Sequence, residues 1–265
     1  MDIVTQQGQP ASILGLAGHP KMDLACVPVA YTAGINYFFF YDLANDHLLD
    51  GIKQLERENI LIATGSEART VRELNQYLDK VRRRLDIDVI DAFFVEYVSP
   101  SDDLNLVQAI LDQLYVWKEK ERIRYVGAST HNRQSALELI NARKCDVLMH
   151  RYNMAHRQAE ETLLPAALQA QIPVIAFTCT RWGSLLSGHP DWHQQIPSAA
   201  DCYRYALRNP AVRLALTAPQ THAQLQENLA VLSNPQITDQ EDAVWHEYGD
   251  VIYGTGQDAF ETQWS

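Results

Sequence analysis

Eight short apolar runs, separated by amphipathic stretches, constrain the fold of this chain more than any other feature. Each run is four to seven residues long and rich in β-branched or aromatic side chains, which is typical of buried parallel strands. The runs are Ser12–Ala17, Tyr37–Tyr41, Ile60–Thr64, Val89–Val95, Arg124–Ala128, Asp146–Met149, Val174–Phe177 and Arg213–Leu216. Eight strand–helix repeats in 265 residues predict an α/β fold, a closed (β/α)8 TIM barrel forming one domain over residues 1–265.

Most of the segments between these runs carry the periodicity of helices, at Val71–Leu85, Leu104–Lys120, Gln134–Asn141, Glu160–Ala170, Ala200–Leu207 and Ala223–Leu232. No helix is predicted between Tyr41 and Ile60. Val71–Leu85, for example, places Leu74, Leu78, Val81 and Leu85 on one face. After the eighth repeat, residues 239–265 form a C-terminal tail. It opens with a helix-like stretch, Asp239–Tyr248, and becomes acidic and aromatic. We expect this tail to pack on the barrel or on a partner, either another protein or a second copy of the chain.

Charge and apolar content exclude several functional classes. With 22 basic and 33 acidic residues the net charge is −11, which argues against nucleic acid or an anionic membrane as a partner. The amino terminus lacks the features of a signal peptide, and the apolar runs are too short to span a bilayer. The four cysteines lie far apart and form no C-x-x-C pair, so we expect free thiols and a cytoplasmic protein.

Polar residues follow the predicted strands, where barrels of this kind carry their chemistry. The expected partner is therefore a small molecule. The candidate catalytic residues are Glu96, Tyr41, Asp42 and His150, because carboxyl, phenol and imidazole groups transfer protons. The candidate substrate-binding residues are Tyr97, His131, Arg151, Arg181 and Trp182. No pair of ligand-type residues has diagnostic metal spacing, so we predict no metal site.

Eight short motifs, in order, make the chain resemble the aldo/keto reductases, which are NADPH-dependent (β/α)8 barrels. They begin with GINYF at residues 34–38, DVID at 88–91 and IRYVGAS at 123–129. They continue with YNM at residues 152–154, LLP at 163–165, GSLLSG at 183–188, NPAV at 209–212 and ENL at 227–229. The resemblance covers about residues 13–232 and implies the same barrel.

The resemblance also implies four catalytic positions, which this chain fills differently. Family members reduce carbonyls with a Tyr acid that is assisted by Asp, Lys and His. Here the Asp position falls on Phe39, the Tyr position near Ala44, the Lys position on Gly65 and the His position on Glu96. We therefore predict a degenerate active site, and the sequence argues against standard carbonyl reduction.

The positions that the family uses for its cofactor match in part. The resemblance assigns cofactor contacts to Ser129, Phe177, Thr178, Gly183, Leu185, Gln220, Glu227 and Asn228. It implies that Phe177 stacks on the nicotinamide, Gly183 and Leu185 meet the pyrophosphate, and Glu227 and Asn228 meet the adenine. Gln220 stands where the family has an Arg or Lys for the 2′-phosphate, and Met149 stands where it has a Gln. A charged clamp on that phosphate is thereby missing. The sequence therefore argues against bound NADPH or NADH, although both remain open as cofactors.

Three functions remain open at this point. The first is chemistry on a small molecule at the mouth of the barrel, through groups such as Glu96. The second is an NAD(P)H-dependent oxidoreductase with a relocated proton donor. The third is a non-catalytic barrel, a pseudoenzyme, that binds a ligand or a protein.

Overall fold

The computed structural model describes residues 2–254, and in these residues eight parallel strands close into a barrel. The strands are β1 (Leu14–Ala17), β2 (Tyr37–Phe40), β3 (Leu61–Ser66), β4 (Ile90–Val95), β5 (Ile123–Thr130), β6 (Val147–Arg151), β7 (Val174–Phe177) and β8 (Val212–Thr217). Each lies within two residues of its predicted bounds, which confirms the (β/α)8 fold. Strand β8 pairs with β1 through Leu14 and Ala215, and this pairing closes the sheet.

Helices connect the strands on the outside of the barrel. They are α1 (Cys26–Thr32), α2 (Asp46–Ile52), α3 (Val71–Leu85), α4 (Leu104–Glu119), α5 (Arg133–Asn141), α6 (Leu163–Ala170), α7 (Ala199–Leu207), α8 (His222–Ser233) and α9 (Asp239–Tyr253). Helix α3 starts where the Thr70 hydroxyl accepts the Glu73 N–H, and it ends at Asp86, whose φ is +56°. None of the described helices combines the length and the hydropathy needed to cross a bilayer.

Alternate side chains of each strand fill the barrel interior, and glycines accommodate the largest of them. A Cβ atom on Gly15 would lie 2.9 Å from the Tyr37 ring, and one on Gly127 would lie 2.4 Å from the Phe94 ring. Phe94 in turn meets Phe39 edge to face at 6.1 Å. The aromatic residues of β2 and β4 therefore occupy space that the glycines of β1 and β5 leave open.

The extra helix α9 lies across the loops that follow β6 and β7. Gly249 of α9 sits so close to Met154 that a Cβ atom there would be 2.1 Å from its carbonyl oxygen. Arg157 donates to the His246 carbonyl oxygen and pairs with Asp250 at 2.6 Å. The helix runs five residues beyond its predicted end at Tyr248. Phe260 and Trp264, the later aromatic residues of the tail, lie outside the described residues.

A buried carboxylate joins the amino-terminal ends of three strands. Asp91 of β4 pairs with Arg57 at 2.7 Å and with Arg124 of β5 at 2.6 Å, and its Oδ2 also accepts the Ile62 N–H. Only 1% of its side chain is exposed. Removing one partner of such a buried group leaves the opposite charges without a counter-charge, which destabilises the folded state.

We expect Asp91→Ala to lower the free energy of unfolding by about 3–5 kcal/mol, because two guanidinium groups and one strand N–H lose their acceptor. The matched control is Asp88→Ala, since the Asp88 side chain is fully exposed and pairs with Arg82 only at 3.4 Å. Urea denaturation of both variants measures the difference. A loss at position 91 no larger than at position 88 would contradict this account.

Candidate active site at the mouth of the barrel

The carboxyl ends of the strands surround a mouth whose two halves differ in charge. On the β2–β4 side lie Asp42, Glu67 and Glu96, and on the β5–β6 side lie several basic residues. Phe39, Gly65 and Glu96 follow the interior-facing alternation of their strands: Gly65 pairs in register with Phe94, and Glu96 contacts Gly65. The positions that the resemblance assigned to Asp, Lys and His therefore form one floor of this mouth.

Glu96 is the most perturbed acid of this floor. Its side chain is buried, and its Oε1 accepts no hydrogen bond from any described residue. A Cβ atom on Gly65 would lie only 2.5 Å from Oε1, so the glycine makes room for the carboxyl group. Burial, and then the charge of Glu67, raises the pKa of Glu96 to about 8, while Arg69 opposes the shift. Glu96 is therefore mostly protonated at neutral pH.

The backbone on both sides of this carboxyl group is held by neighbouring loops. The Glu96 N–H donates to the Ser66 carbonyl oxygen at 3.0 Å. Arg69 donates to the Glu96 carbonyl oxygen at 2.9 Å and pairs with Asp102 at 2.8 Å. The Glu96 backbone is therefore held by residues at and just after the end of β3, independently of the Glu96 side chain.

Three rings extend from Glu96 across the mouth. Tyr97, whose φ is +53°, stacks on His131 with ring centroids 5.4 Å apart. His131 meets Phe177 edge to face at 4.9 Å. The Tyr97 N–H donates to the Ser129 hydroxyl at 3.0 Å, which holds this strained turn in place. Burial, followed by the charges of Glu96 and Glu67, raises the pKa of Tyr97 to about 12, so the phenol keeps its proton.

Tyr41 and Asp42 lie on the outer rim. About half of the Tyr41 side chain is exposed, and Asp42 is exposed and accepts the Ala44 N–H at 2.9 Å. Strand β2 ends at Phe40, one residue earlier than predicted, because the chain turns there toward α2. Asp42 thus closes that turn, whereas Glu96 faces the interior.

A basic pocket occupies the opposite side of the mouth. It has a volume of about 170 Å³ and is lined by His131, Arg133, His150, Arg151, His156 and Arg157, together with other residues. His150 is buried, and its Nδ1 lies 2.8 Å from the Thr130 carbonyl oxygen. Burial lowers the pKa of His150 to about 3, the neighbouring His131, Arg151 and Arg133 add to the shift, and the hydrogen bond with the Thr130 carbonyl oxygen opposes it. Its ring is therefore neutral, with Nδ1 as the donor.

Sequence reasoning missed three members of this pocket: Arg133, His156 and Arg157. Arg133 is two residues beyond the predicted His131, and the other two lie in the loop after β6, beyond the YNM motif. The sequence could have indicated them, because each lies in a loop whose first residues were already candidates. Their convergence from the β5 and β6 loops is a tertiary effect that no linear spacing shows.

The loop after β7 is tied to α9. Arg181 donates to the Ile252 carbonyl oxygen at 2.7 Å, and the neighbouring Trp182 is 56% exposed. Both have positive φ, of +49° and +53° respectively. Cys179, by contrast, is buried, and burial raises its pKa to about 12, so it remains a thiol.

Of the cofactor positions implied by the resemblance, Ser129 lies on β5, four lie at the end of β7 and in the loop after it, and three lie after β8, in the loop and in α8. Gly183 has a φ of +86°, and apart from its two chain neighbours no described residue lies within 4 Å of the place where its Cβ atom would be. Leu185 is buried under Tyr248, which donates to its carbonyl oxygen. The Thr178 carbonyl oxygen accepts from the Asn153 amide at 2.9 Å.

The β8 end carries the remaining three positions. Gln220 and Glu227 are exposed. Asn228 is buried, and its amide donates to the Thr217 hydroxyl at 2.8 Å. Within residues 2–254 no group of His, Cys, Asp and Glu side chains is arranged to hold a metal ion.

Comparison with known proteins matches this geometry to one family. A sequence model described as the aldo/keto reductase family matches residues 23–196. An aldo-keto reductase from Bacillus halodurans, in its holo form, matches with a TM-score of 0.76 at 16% identity over 93% of this chain and 95% of that chain. An aldo/keto reductase from Klebsiella pneumoniae in complex with NADP and acetate matches with a TM-score of 0.76 at 17% identity, over 94% and 95% of the two chains.

A structure from the same organism, an aldo-keto reductase in complex with NADPH, matches equally well, with a TM-score of 0.76, 17% identity and coverage of 94% and 95%. At sequence identities of 16–17%, these structural matches establish the fold alone. The family model covers well over half of the sequence. On that ground, together with the closed eight-stranded barrel, the chain belongs to the aldo/keto reductase family.

Proposed function

We propose that this chain binds a small molecule at the mouth of its barrel and exchanges a proton with it through Glu96. The observation that carries the proposal is the Glu96 carboxyl group: it is buried in the interior face of the mouth, its Oε1 has no partner among the described residues, and its pKa is about 8. A general acid works best when its pKa is near the operating pH. Burial, which Gly65 permits by leaving room for the carboxyl group, and the charge of Glu67 raise the pKa of Glu96 to that value.

The reaction class follows from what surrounds this acid. Protonated Glu96 donates to an oxygen or carbon of the ligand, and the carboxylate that remains takes a proton back from ligand or solvent. Arg69 favours that carboxylate, since it is the one group that lowers the pKa of Glu96. The neighbouring Tyr97 supplies a neutral hydroxyl, because its pKa of about 12 keeps it protonated.

A nicotinamide cofactor is the natural alternative, because the two structures from Klebsiella pneumoniae contain NADP and NADPH. Within residues 2–254, Gly183 leaves space for a pyrophosphate to approach. The two ends of the cofactor fit less well. Phe177, the ring expected to stack on the nicotinamide, is in edge contact with His131, and Gln220 offers no charge to a 2′-phosphate.

The residues as they stand therefore do not fit NADPH at either end. Asn228, expected at the adenine, is turned inward to Thr217. The alternative of an NAD(P)H-dependent reductase would need these contacts to rearrange and would use Tyr41, Tyr97 or Glu96 as proton donor. The family's own donor set is replaced at Phe39, Ala44, Gly65 and Glu96. Proton transfer without a dinucleotide requires no such rearrangement.

We expect the stability of the wild-type chain, compared with Glu96→Gln, to fall as the pH rises from 4.5 to 8. The folded state keeps the Glu96 proton up to about pH 8, whereas the unfolded state releases it near pH 4.5, so unfolding releases a proton in this window. The difference between the two proteins should change by on the order of 3 kcal/mol. Urea denaturation at pH 5 and pH 8 measures it, and a pH-independent difference would show that Glu96 has an ordinary pKa.

We expect neither NADPH nor NADH to bind saturably at concentrations up to about 1 mM, because Phe177 is in edge contact with His131 at the nicotinamide end and Asn228 is bonded to Thr217 at the adenine end. For NADPH, Gln220 also offers no charge to the 2′-phosphate. Trp fluorescence and thermal shift report binding. A ligand present at 100 times its Kd stabilises by about 2.7 kcal/mol, so tight binding would be conspicuous. Saturable stabilisation would instead support the oxidoreductase alternative.

We expect the chain to catalyse exchange of carbon-bound protons with solvent deuterium in a pool of small keto acids and aldehydes, and Glu96→Gln to slow that exchange by about 10²–10⁴-fold. The amide keeps the shape of the side chain but cannot transfer the proton. Proton NMR in D₂O follows the reaction. The control is Glu247→Gln, an exposed position on α9. An unchanged rate in Glu96→Gln would remove this residue from the reaction.

A further inference from the structure

The turn that follows β4 carries Glu96 and Tyr97, and an arginine from another loop is bonded to it twice. Arg69 lies between β3 and α3, and its Nη2 donates to the Glu96 carbonyl oxygen at 2.9 Å and to the Tyr97 carbonyl oxygen at 3.1 Å. Its Nη1 donates to the Glu67 carbonyl oxygen at 2.8 Å, within its own loop. One guanidinium group therefore joins the loops that follow β3 and β4.

The two carbonyl oxygens meet at one nitrogen because the backbone changes direction at Tyr97. In an extended strand successive peptide groups point to opposite sides, so neighbouring carbonyl oxygens do not share a donor. Tyr97 has a φ of +53°, in the left-handed region that residues other than glycine rarely adopt. Such a conformation persists only where its surroundings hold it. The two bonds from Arg69 are part of that support.

Asp102 holds the guanidinium group itself. Its carboxylate accepts from Nε of Arg69 at 2.8 Å and from Nη2 at 3.1 Å, a two-pronged geometry that suits the planar fork of arginine. The same carboxylate accepts the Ser99 N–H at 2.9 Å, just beyond the turn. Only 22% of the Arg69 side chain and 17% of the Asp102 side chain are exposed, so this pair is largely shielded from water.

The N–H groups of residues 96–99 are bonded as well. Their acceptors are the Ser66 carbonyl oxygen, the hydroxyl and carbonyl oxygens of Ser129, and the Asp102 carboxylate. The turn is thus held by N–H bonds to β3, β5 and Asp102, and by the carbonyl bonds to Arg69. The direction in which the Glu96 side chain leaves the turn is fixed by these contacts.

From this set of contacts we propose that Arg69 and Asp102 are positioning residues, which hold the Glu96 carboxyl group at the place where it meets a ligand. Neither residue has to touch the ligand, because both act through the backbone of the turn. A displacement of about 1 Å can cost on the order of 100-fold in rate, even when the change that causes it lies far from the reacting groups. The effect on rate rests on the proposed function, whereas the hold on the turn is measurable without it.

The first test compares Asp102→Asn with the parent. The amide keeps the shape of the side chain but carries no charge and has one acceptor oxygen, so it cannot hold the guanidinium group at two points. We expect the N–H groups of Tyr97 and Val98 to exchange with D₂O about tenfold faster or more, because the turn opens more often. Deuterium exchange in the same pool of small keto acids and aldehydes should slow by about 10–100-fold. NMR measures both.

Two variants of Arg69 separate position from charge. In Arg69→Lys the charge remains, but an ammonium group cannot reach the carboxylate and three carbonyl oxygens together. The pKa of Glu96 should therefore stay at about 8, while the N–H exchange of the turn accelerates and the reaction slows as in Asp102→Asn. In Arg69→Gln the pKa of Glu96 should rise further, because the charge that opposes the shift is lost. Carboxyl ¹³C NMR follows this titration, with the Glu96 signal assigned by its absence in Glu96→Gln.

The matched control is Arg122→Gln at the amino-terminal end of β5. Arg122 is 24% exposed and pairs with Asp79 at 2.6 Å, so it resembles Arg69 in burial and pairing but lies at the opposite end of the barrel. This control should match the parent in N–H exchange of the turn, in the titration of Glu96 and in rate.

Parental N–H exchange at Tyr97 and Val98 in Asp102→Asn would overturn the inference, and so would a parental rate in Arg69→Lys. Equal acceleration of N–H exchange in Arg122→Gln would also overturn it, because the effect would then reflect a general loss of stability. If the parent catalyses no deuterium exchange, the proposed function fails. The N–H exchange of the turn in Asp102→Asn and Arg69→Lys then decides whether these residues hold Glu96 in place.

Discussion

Filling the interior of a closed parallel barrel is the constraint on which the rest of this structure depends. Alternate side chains from all eight strands must share one enclosed space, so a large residue on one strand requires a small one beside it. Gly15 and Gly127 fulfil that requirement for Tyr37 and Phe94. Gly65 fulfils it for Glu96, with the difference that the side chain admitted is an acid. The unusual pKa at the mouth is thus a consequence of packing.

The same constraint explains why membership of the family does not determine the chemistry at the mouth of the barrel. The motifs shared with aldo/keto reductases lie largely at turns and buried strand positions, which preserve the barrel whatever its mouth contains. The interior positions at the strand ends can change without loss of the fold, provided that volume is conserved. Phe39 meeting Phe94 and Gly65 meeting Glu96 are two packed solutions of this kind. A match to the family therefore establishes the barrel architecture, whereas the reaction depends on the individual residues at the mouth.

The sequence predicted the fold better than the site, for physical reasons. Strands buried in a parallel sheet are apolar at both faces, so all eight were visible as runs and were confirmed. Helix α2 was missed because its seven residues include two acids and Gly51, whose missing side chain admits Val27 of α1. At the site, a strand-end position identified Glu96, but its pKa depends on burial against a residue of another strand. The basic pocket was only partly anticipated, because its members converge from different loops.

The two halves of the mouth together define an electrostatic direction. Glu67 and Glu96 lie on one side and the guanidinium groups of Arg133 and Arg151 on the other, with His131 and Tyr97 stacked between them. The protonated Glu96 on the acidic side is the group that we propose exchanges a proton with a ligand. Glu96 keeps its proton although Arg69 lies beside its backbone, because burial and the charge of Glu67 outweigh that opposing cation.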